Sequence, residues 1–584
     1  MRWRYGYLPR PSGVHILMNK LAKIESPAFA DEVNAGENQA LGGGLEGAQR
    51  TSRETVNWSP PQLISPDALI NPVKDMADAR AQDLLQNDGY VTGALHTNRD
   101  SIVGAQYMVN STPNIDVLQQ LVATSKDAWV RKIRFTEKWI ETFQAVVEAR
   151  FNLLGDSPSN WLDASRRNTL TDMIRLGIAS HLITGEICAS AEWIRQASRP
   201  CNTAIQMINP VRLCNPNMAA DTATMRKGVV SDMWGQPVSY WIRNGYPYDP
   251  FNMTDNYKWQ NVLAEKPWGR KQFIHIVEQF LIDQTRGVSE MVAAMKQMRM
   301  TRKFQDITLQ NAVVNATYAA AIETELPKDM IWQTMGGGQN EFAANGIGDF
   351  MSGLAQYMAA SKNIHLDGVK VPVLYPGTKF QTKTLGTPGG VGTSFEESLH
   401  RNVAAAFGLS YEQYSRDFSK TNYSSARASM GETQKRMNSK KKVIADRFAT
   451  DIYYLWLEEE INGGMLPLPD DCTAEEFAAF FYLPLAKEAL CACSWIGASR
   501  GQIDELKETQ AAILRINAGL STREKESARL GDDWRATMRQ LKREKALAED
   551  LGLDFSAQAA KPGANDAAQT ITKSGSDDEQ DNKE

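Results

Sequence analysis

Length, periodicity and a mid-chain change of character predict an α+β fold, predominantly helical and multidomain. At 584 residues the chain outgrows a single hydrophobic core and has room for roughly four domains. Most of it repeats apolar residues at helical spacing. Residues 184–285 instead carry short β-prone runs parted by turn pairs such as Asn209-Pro210 and Asn215-Pro216.

Residues 1 to about 58 lack either period and include Gly42-Gly43-Gly44, with Gly47 just behind, which predicts a flexible arm. A helical pattern then runs from Pro60 to about Val109, with Ala79 to Asn87 on one element and a turn at Ile102-Val103-Gly104. Trp129 to Phe151 and Leu170 to Ile183 are two further helical patches. In the β-rich block, Pro237 to Ile242 is a strand, and the block ends near Phe273-Ile274-His275.

A long helix should start at Ser289 and stop at Leu326-Pro327, because proline cannot continue a helix. It would exceed about 50 Å. Its wheel carries two opposite apolar stripes: Met291, Met295, Met298, Leu309 and Val313 on one side; Met300, Phe304, Ile307, Val314, Tyr318 and Ile322 on the other. A helix apolar on two sides packs between neighbours, in its own chain or in adjacent subunits. Val369 to Tyr375 follows as a strand pattern. A second long helix, amphipathic, opens at Ser424 or Ser425, either of which can cap it, and stops at Asn462-Gly463-Gly464. Helices at about 503–517, 521–530 and 532–551 come next, the middle one opening on the capping box Ser521-Thr522-Arg523-Glu524. From Lys561 the chain is small, polar and acidic, and disorder is expected.

Composition narrows the function classes. The net charge of −5 disfavours tight, static binding of nucleic acid, yet suits a surface past which DNA slides. The start, Met1-Arg2-Trp3-Arg4-Tyr5, has no apolar run behind it, so a secretory signal is not expected, and no stretch approaches the roughly 20 apolar residues of a membrane span. Six scattered cysteines form no C-x-x-C pair and read as reduced packing thiols. Six histidines lie far apart and read as structural or surface groups. There is no phosphate-loop motif and no H-E-x-x-H. Gly287-Val288-Ser289, Gly392-Thr393-Ser394 and Gly408-Leu409-Ser410 each fall short of G-x-S-x-G. No catalytic, cofactor or metal site is therefore expected.

Charge gathers on the second long helix. Between Lys420 and Arg447 stand eight Lys or Arg residues against two acids, Glu432 and Asp446. An apolar stripe (Met430, Met437, Ile444, Phe448, Ile452, Leu455) should bury one face, flanked by Lys435 and Lys442 on one side and Arg436, Lys440 and Arg447 on the other. Such a rim is either a solvated surface or a weak, sequence-blind contact for a phosphate backbone. Two basic-aromatic clusters offer the same choice between stacking on bases and inward-packed tryptophan. One is Trp129, Arg131, Lys132, Arg134, Lys138 and Trp139; the other is Lys266, Trp268, Arg270 and Lys271.

Several words recur in a telling order. Ala79-Arg80 through Asn87 precedes Ile102-Val103-Gly104, and then come Thr184-Gly185-Glu186-Ile187, Asn209-Pro210-Val211-Arg212-Leu213, Gly228-Val229-Val230 and Gly235 to Trp241. Arg286-Gly287-Val288-Ser289, Ala405 to Glu412, Asp417, Thr421-Asn422-Tyr423-Ser424-Ser425-Ala426-Arg427 and Trp495-Ile496-Gly497 follow. Over about 60–550 this series resembles the portal proteins of tailed phages, of the lambda-like type, with Asn209 where that family usually has aspartate.

The resemblance implies a portal fold of wing, stem, clip and crown, and a non-catalytic homo-oligomeric ring, usually of twelve subunits. Such a ring sits at one capsid vertex of the virion after assembly in the host cytoplasm. It nucleates head assembly with capsid or scaffold protein, docks the terminase large subunit, passes double-stranded DNA and joins a head-completion or tail connector protein. It implies these segments: arm 1–58, wing 59–285, first stem helix 286–327, clip 328–392, second stem helix 393–408, tunnel loop 409–423, long wing helix and following region 424–500, crown-like helices 501–556, acidic tail 557–584. Tyr411, Tyr414, Arg416, Lys420 and Tyr423 become candidate DNA contacts in the tunnel loop. Two other classes stay open: a nucleic-acid-processing enzyme, predicting metal-dependent cleavage, and a monomeric adaptor for capsid or motor proteins.

Overall fold

A computed structural model describes residues 63–251, 253–317, 364–366, 369–371, 388–499 and 505–552, with only the backbone described at 311–317, 364–366, 369–371, 388–394 and 423. The chain divides into Met1–Leu63 and Ile64–Glu584, and every element below belongs to the second unit. The expected arm, most of the 328–392 segment and the acidic tail lie outside the described residues.

The second unit opens with α1 (Pro66–Asn87) and α2 (Gly89–Ile102). Ser65 caps α1 by accepting from the Ala68 N–H, with Pro66 in the first turn, where its missing donor costs nothing. The face α1 buries is largely polar: Asp67, Asn71, Lys74 and Asp78, then Ala81 and Leu84. The helical pattern expected to Val109 ends sooner. Gly104, at φ +77°, turns the chain, and β1 (Met108–Ser111) pairs antiparallel with Cys493–Ile496 from near the other end. Next come α3 (Ile115–Thr124), α4 (Glu137–Gly155) and α5 (Leu170–Thr184). A capping box of Thr169 and Asp172 starts α5, and Gly185, at φ +78°, stops it.

The β-rich block contains β2 (Glu186–Trp193), β3 (Thr203–Ile208), β4 (Met225–Arg226), β5 (Val229–Ser231), β6 (Pro237–Arg243), β7 (Trp259–Leu263) and β8 (Phe273–Val277). They form antiparallel sheets of order β3-β2-β8 and β4-β5-β6-β7. Alternation along β2 explains how one strand serves two cores. Ile187, Ala189 and Ala191 join the main core of helices. Cys188, pointing the other way, joins Ile208, Leu213, Val229, Tyr240, Ile242 and Phe273 between the sheets.

After a 3-10 turn at Glu290–Ala293 come α6 (Met295–Thr317), the hairpin of β9 (Ile364–Leu366) and β10 (Val369–Val371), α7 (Pro388–Phe407) and α8 (Tyr411–Ser415). Helix α9 (Tyr423–Lys440) passes through a single π turn at Lys441–Ala445 into α10 (Asp446–Asn462). Then follow α11 (Ala474–Phe481), α12 (Ala486–Leu490), β11 (Cys493–Ile496), α13 (Glu505–Asn517), α14 (Arg523–Leu530) and α15 (Trp534–Leu551).

Four expectations change here. The helix expected from Ser289 begins as the 3-10 turn, because the Ser289 hydroxyl accepts from the Met291 N–H; its expected stop at Leu326-Pro327 lies outside the described residues. Its stripes have unequal fates. Met291 and Met298 are buried, and Phe304 meets Phe395 of α7 edge-on at 5.9 Å, but Met300, Ile307 and Leu309 are 54, 49 and 66% exposed. The cap of α9 is Asn422, which accepts from Ser425 N–H while the Ser425 hydroxyl answers Asn422; neither serine is the cap residue. Likewise Thr522 caps α14, accepting from Lys525 N–H, in place of Ser521.

Nor is the 424–460 helix amphipathic throughout. Met430 stays exposed, whereas Phe448, Ile452, Tyr453, Leu455, Trp456, Leu457 and Ile461 bury nearly the whole circumference of α10. A helix apolar on all sides belongs in the centre of a core. Phe151, Tyr453, Trp456 and Trp495 form its aromatic heart, with ring centroids 5.0–6.3 Å apart.

Candidate functional site

The polar turn between α7 and α9 starts from a rigid base. Ser410 and Gln413 form a capping box on α8, and Gln413 Oε1 also accepts from the Thr433 hydroxyl of α9 at 2.8 Å. Tyr414 does not face solvent. It is 4% exposed and packed against Tyr90, His400 and Phe407, so its candidacy as a DNA contact is withdrawn. Tyr411 is half-buried with the Arg401 guanidinium 5.1 Å above its ring. Arg416, at φ +60°, ends α8 in the left-handed conformation and donates to Thr97 Oγ1 at 3.1 Å. The exposed Lys420 ammonium pairs with Glu397, which also takes Arg401 at 3.3 Å; Lys420's hydrogen bond holds that carboxyl below its usual range. Tyr423 opens α9, and its side chain lies outside the described residues.

On the basic helix the candidates separate by burial. Lys435 is exposed beside Glu432 at 2.7 Å, Lys442 is exposed with Asp446 at 3.9 Å, and Arg447 is exposed. Lys440 is buried, its ammonium 2.7 Å from Glu290, and this corrects its reading as a phosphate contact: a desolvated, paired lysine has nothing to offer DNA. Arg436 also reaches Glu290, at 3.2 Å, and its stem lies over Gly408, where a Cβ would fall 2.0 Å from Arg436 Cδ. Arg416, Lys420, Lys435, Arg436, Lys442 and Arg447 remain as accessible cations.

The two basic-aromatic clusters differ: the first packs its tryptophans inward and the second does not. Trp139 is buried among Phe135, Phe143 and Phe477 and donates to the Pro467 carbonyl at 3.0 Å. Arg270 pairs with Glu458 at 3.1 Å and Lys271 with Asp451 at 2.6 Å, leaving Trp268 exposed. Ser289 and Ser410, two of the near-miss serines, act as caps.

Sequence reasoning missed a buried ionic junction. Glu186, fully buried at the first residue of β2, meets Arg286 at 2.5 Å, His275 at 3.0 Å and Lys74 at 3.2 Å. Arg286 donates further to the carbonyls of Leu213, Lys227 and Pro210, at 2.7, 2.6 and 3.0 Å. Burial alone would raise the Glu186 carboxyl, but Arg286 first and Lys74 second hold it well below its usual range. Beside it, Gly185 and Gly287 touch backbone to backbone: a Cβ on either would lie 2.2 Å from the other segment. The Gly-Glu and Arg-Gly words, about a hundred residues apart, are therefore two halves of one joint. Asn209 caps its own turn, Oδ1 accepting from Val211 N–H at 3.1 Å, a task an aspartate would do equally.

A second cluster lies near this joint. His181 of α5, Glu278 after β8 and Glu290 bring Nε2 and two carboxylate oxygens within 4.8 Å of one another. Their wide separation in sequence gave no hint of it.

The family model described as "Phage portal protein, lambda family" matches residues 51–440. The chain is 35% identical over 520 residues to the portal protein of Escherichia phage N15, covering 89% of this chain and 92% of that one. It is also 35% identical over 506 residues to portal protein B of Escherichia phage lambda, covering 86% and 89%. Among solved structures, a chain from the neck of an empty gene transfer agent particle, computed with C6 symmetry, aligns over 77% of this chain and 93% of its own, at 12% identity and a TM-score of 0.34. With that family match and those relatives, the chain belongs to the lambda family of phage portal proteins.

Proposed function

We propose that identical copies of this chain, usually twelve in such proteins, close into a ring at one capsid vertex. The ring nucleates head assembly, docks the terminase large subunit, conducts double-stranded DNA inward and outward and receives a head-completion or tail connector protein. Helices α6 and α7 are read as the stem, 328–392 as the clip, 409–423 as the tunnel loop, α9–α10 as the wing helix and α13–α15 as crown-like. Capsid or scaffold protein is the assembly partner, and host cytoplasm the place of assembly.

One observation within the chain supports this most: α6 leaves Met300, Ile307 and Leu309 uncovered, while the other apolar side chains described on it, Met295, Met298 and Phe304, are partly or wholly buried. Apolar area exposed along a helix costs roughly 25 cal/mol per Å² until something covers it, and a neighbouring subunit's stem helix would do so. Arg416 and Lys420 on the loop, with Lys435, Lys442 and Arg447 behind, offer exposed cations held partly by nearby acids. Contacts of that kind are sequence-blind and easily broken, as a moving duplex requires.

Native mass and negative-stain images of the purified chain test the reading. A ring of about twelve with a central hole supports it, as does closure only on adding scaffold or capsid protein. A monomer or dimer that stays so with those proteins present would instead favour an adaptor, and metal-dependent DNA cleavage a nuclease.

A further inference from the structure

Three chain segments meet at the cluster of His181, Glu278 and Glu290. His181 lies in the last turn of α5, Glu278 just beyond β8, and Glu290 in the 3-10 turn that leads into α6. His181 is buried, and its Nε2 has no hydrogen-bond partner among the described residues although it lies 4.0 Å from Glu278 Oε2. An unpaired buried ring nitrogen is costly unless something occupies it. Burial pushes the His181 pKa down to about 4, so the ring is neutral at neutral pH. A neutral imidazole and two carboxylates are the donor set of a borderline divalent metal.

The backbone around the cluster is fixed independently of any ligand. Lys74 Nζ donates to the carbonyls of Thr184 and Gly287 at 2.8 and 2.9 Å, tying the end of α5 to the segment before Glu290. Ser289 Oγ donates to the Leu182 carbonyl at 2.8 Å. His181 and Glu290 thus stand on one clamped scaffold, which is what a precise site needs. The present neutralisers of Glu290 are the Lys440 ammonium at 2.7 Å and Arg436 at 3.2 Å; Lys440 also lies close enough to Glu278 to feel its charge.

We propose that His181, Glu278 and Glu290 form a divalent transition-metal site, of the zinc class, that clips the base of the α6 helix to α5 and β8. A tetrahedral zinc with ligands at about 2.0–2.2 Å spaces them about 3.4 Å apart, so the side chains close slightly around the ion and leave its fourth position to water. Lys440 then competes with the metal: its ammonium must leave Glu290, or turn to the oxygen the metal does not use, before the ion can sit. Such a clip holds the root of α6 whether or not the chain is assembled.

Zinc alone is the probe. Full-length protein, dialysed against excess zinc and then metal-free buffer, should retain about one zinc per subunit by elemental analysis, and cobalt in its place should give the visible bands of a low-coordinate site. His181→Ala should lose both signals. Glu278→Gln, an isosteric change at a half-exposed position, should weaken zinc binding by more than about tenfold, since even outer-shell changes cost ten- to a hundredfold. Lys440→Met should bind zinc more tightly than the unaltered chain, because the competing cation is gone. Circular dichroism identifies any variant that fails to fold, and Glu278→Gln then decides. Zinc content equal in the unaltered chain and in folded Glu278→Gln, or no zinc retained by the unaltered chain, overturns the site and shows Lys440 to be the resident cation.

Discussion

Two charged regions of this chain use the same residue types to opposite ends. Around Glu186, Lys74 and Arg286 are desolvated and fully paired, joining α1, β2 and the approach to α6. Along the loop and α9, Lys420, Lys435 and Lys442 stand in water beside single carboxylates. Charge pattern along the chain does not distinguish them. Burial does, and burial is decided by which segments fold against each other: a buried pair is costly to break, whereas an exposed pair contributes little and leaves its cation available.

The sharpest break comes at the junction. Glu186→Gln takes the carboxylate from the buried Arg286 and leaves Lys74 with Asp78 alone, and should cost about 3–5 kcal/mol in chemical denaturation; a loss below 1 kcal/mol would mean the junction is solvated. Gly185→Ala comes next. Its φ of +78° already costs an alanine roughly 1–2 kcal/mol, and the Cβ would lie 2.2 Å from Val288 N, so the melt should fall by more than the conformational cost alone.

Proton linkage sharpens the contrast further. Asp78 is raised from 3.8 to about 6, chiefly by desolvation, with Lys74 opposing and Glu186 adding to the rise. A carboxyl whose folded pKa exceeds its unfolded one holds its proton more tightly when folded. Its contribution is full below about pH 4 and lost as pH rises through about 6. Across that window the unaltered chain should lose up to about 1.4 kcal/mol per pH unit relative to Asp78→Asn, and parallel curves would discard the assignment.

The smallest stability effect belongs to the exposed set. Replacing Lys435, Lys442 and Arg447 together by alanine should move stability by no more than about 0.5 kcal/mol per site. The same change should flatten the salt dependence of duplex DNA binding, each lost phosphate contact removing about 0.9 from the log–log slope. An unchanged slope would remove α9 from the DNA-facing surface.

Much of the architecture was legible in the residues. Pairs such as Asn209-Pro210, the apolar period of α5 and the Asn462-Gly463-Gly464 stop announce their elements because they act over a few residues. The ordered words from Ala79 to Gly497 also pointed to the portal family, which the relatives bear out. The candidate site was legible only in part. Arg416, Lys420, Lys435, Arg436, Lys442 and Arg447 are accessible as expected, while Tyr414 and Lys440 turned inward.

By itself, then, the sequence determined the helical and β-rich segments, stops such as Asn462-Gly463-Gly464, and the family, since each rests on local spacing or on the order of short words; the capping residues of α9 and α14 were each misplaced. Tertiary structure alone decided which charges are scaffold. The polar stripe Asp67-Asn71-Lys74-Asp78 looks like a solvated helix face until β2 and Arg286 are brought against it from more than a hundred residues away. The physical reason is that an ion's role depends on the dielectric and partners around it, and those come from residues distant in the chain.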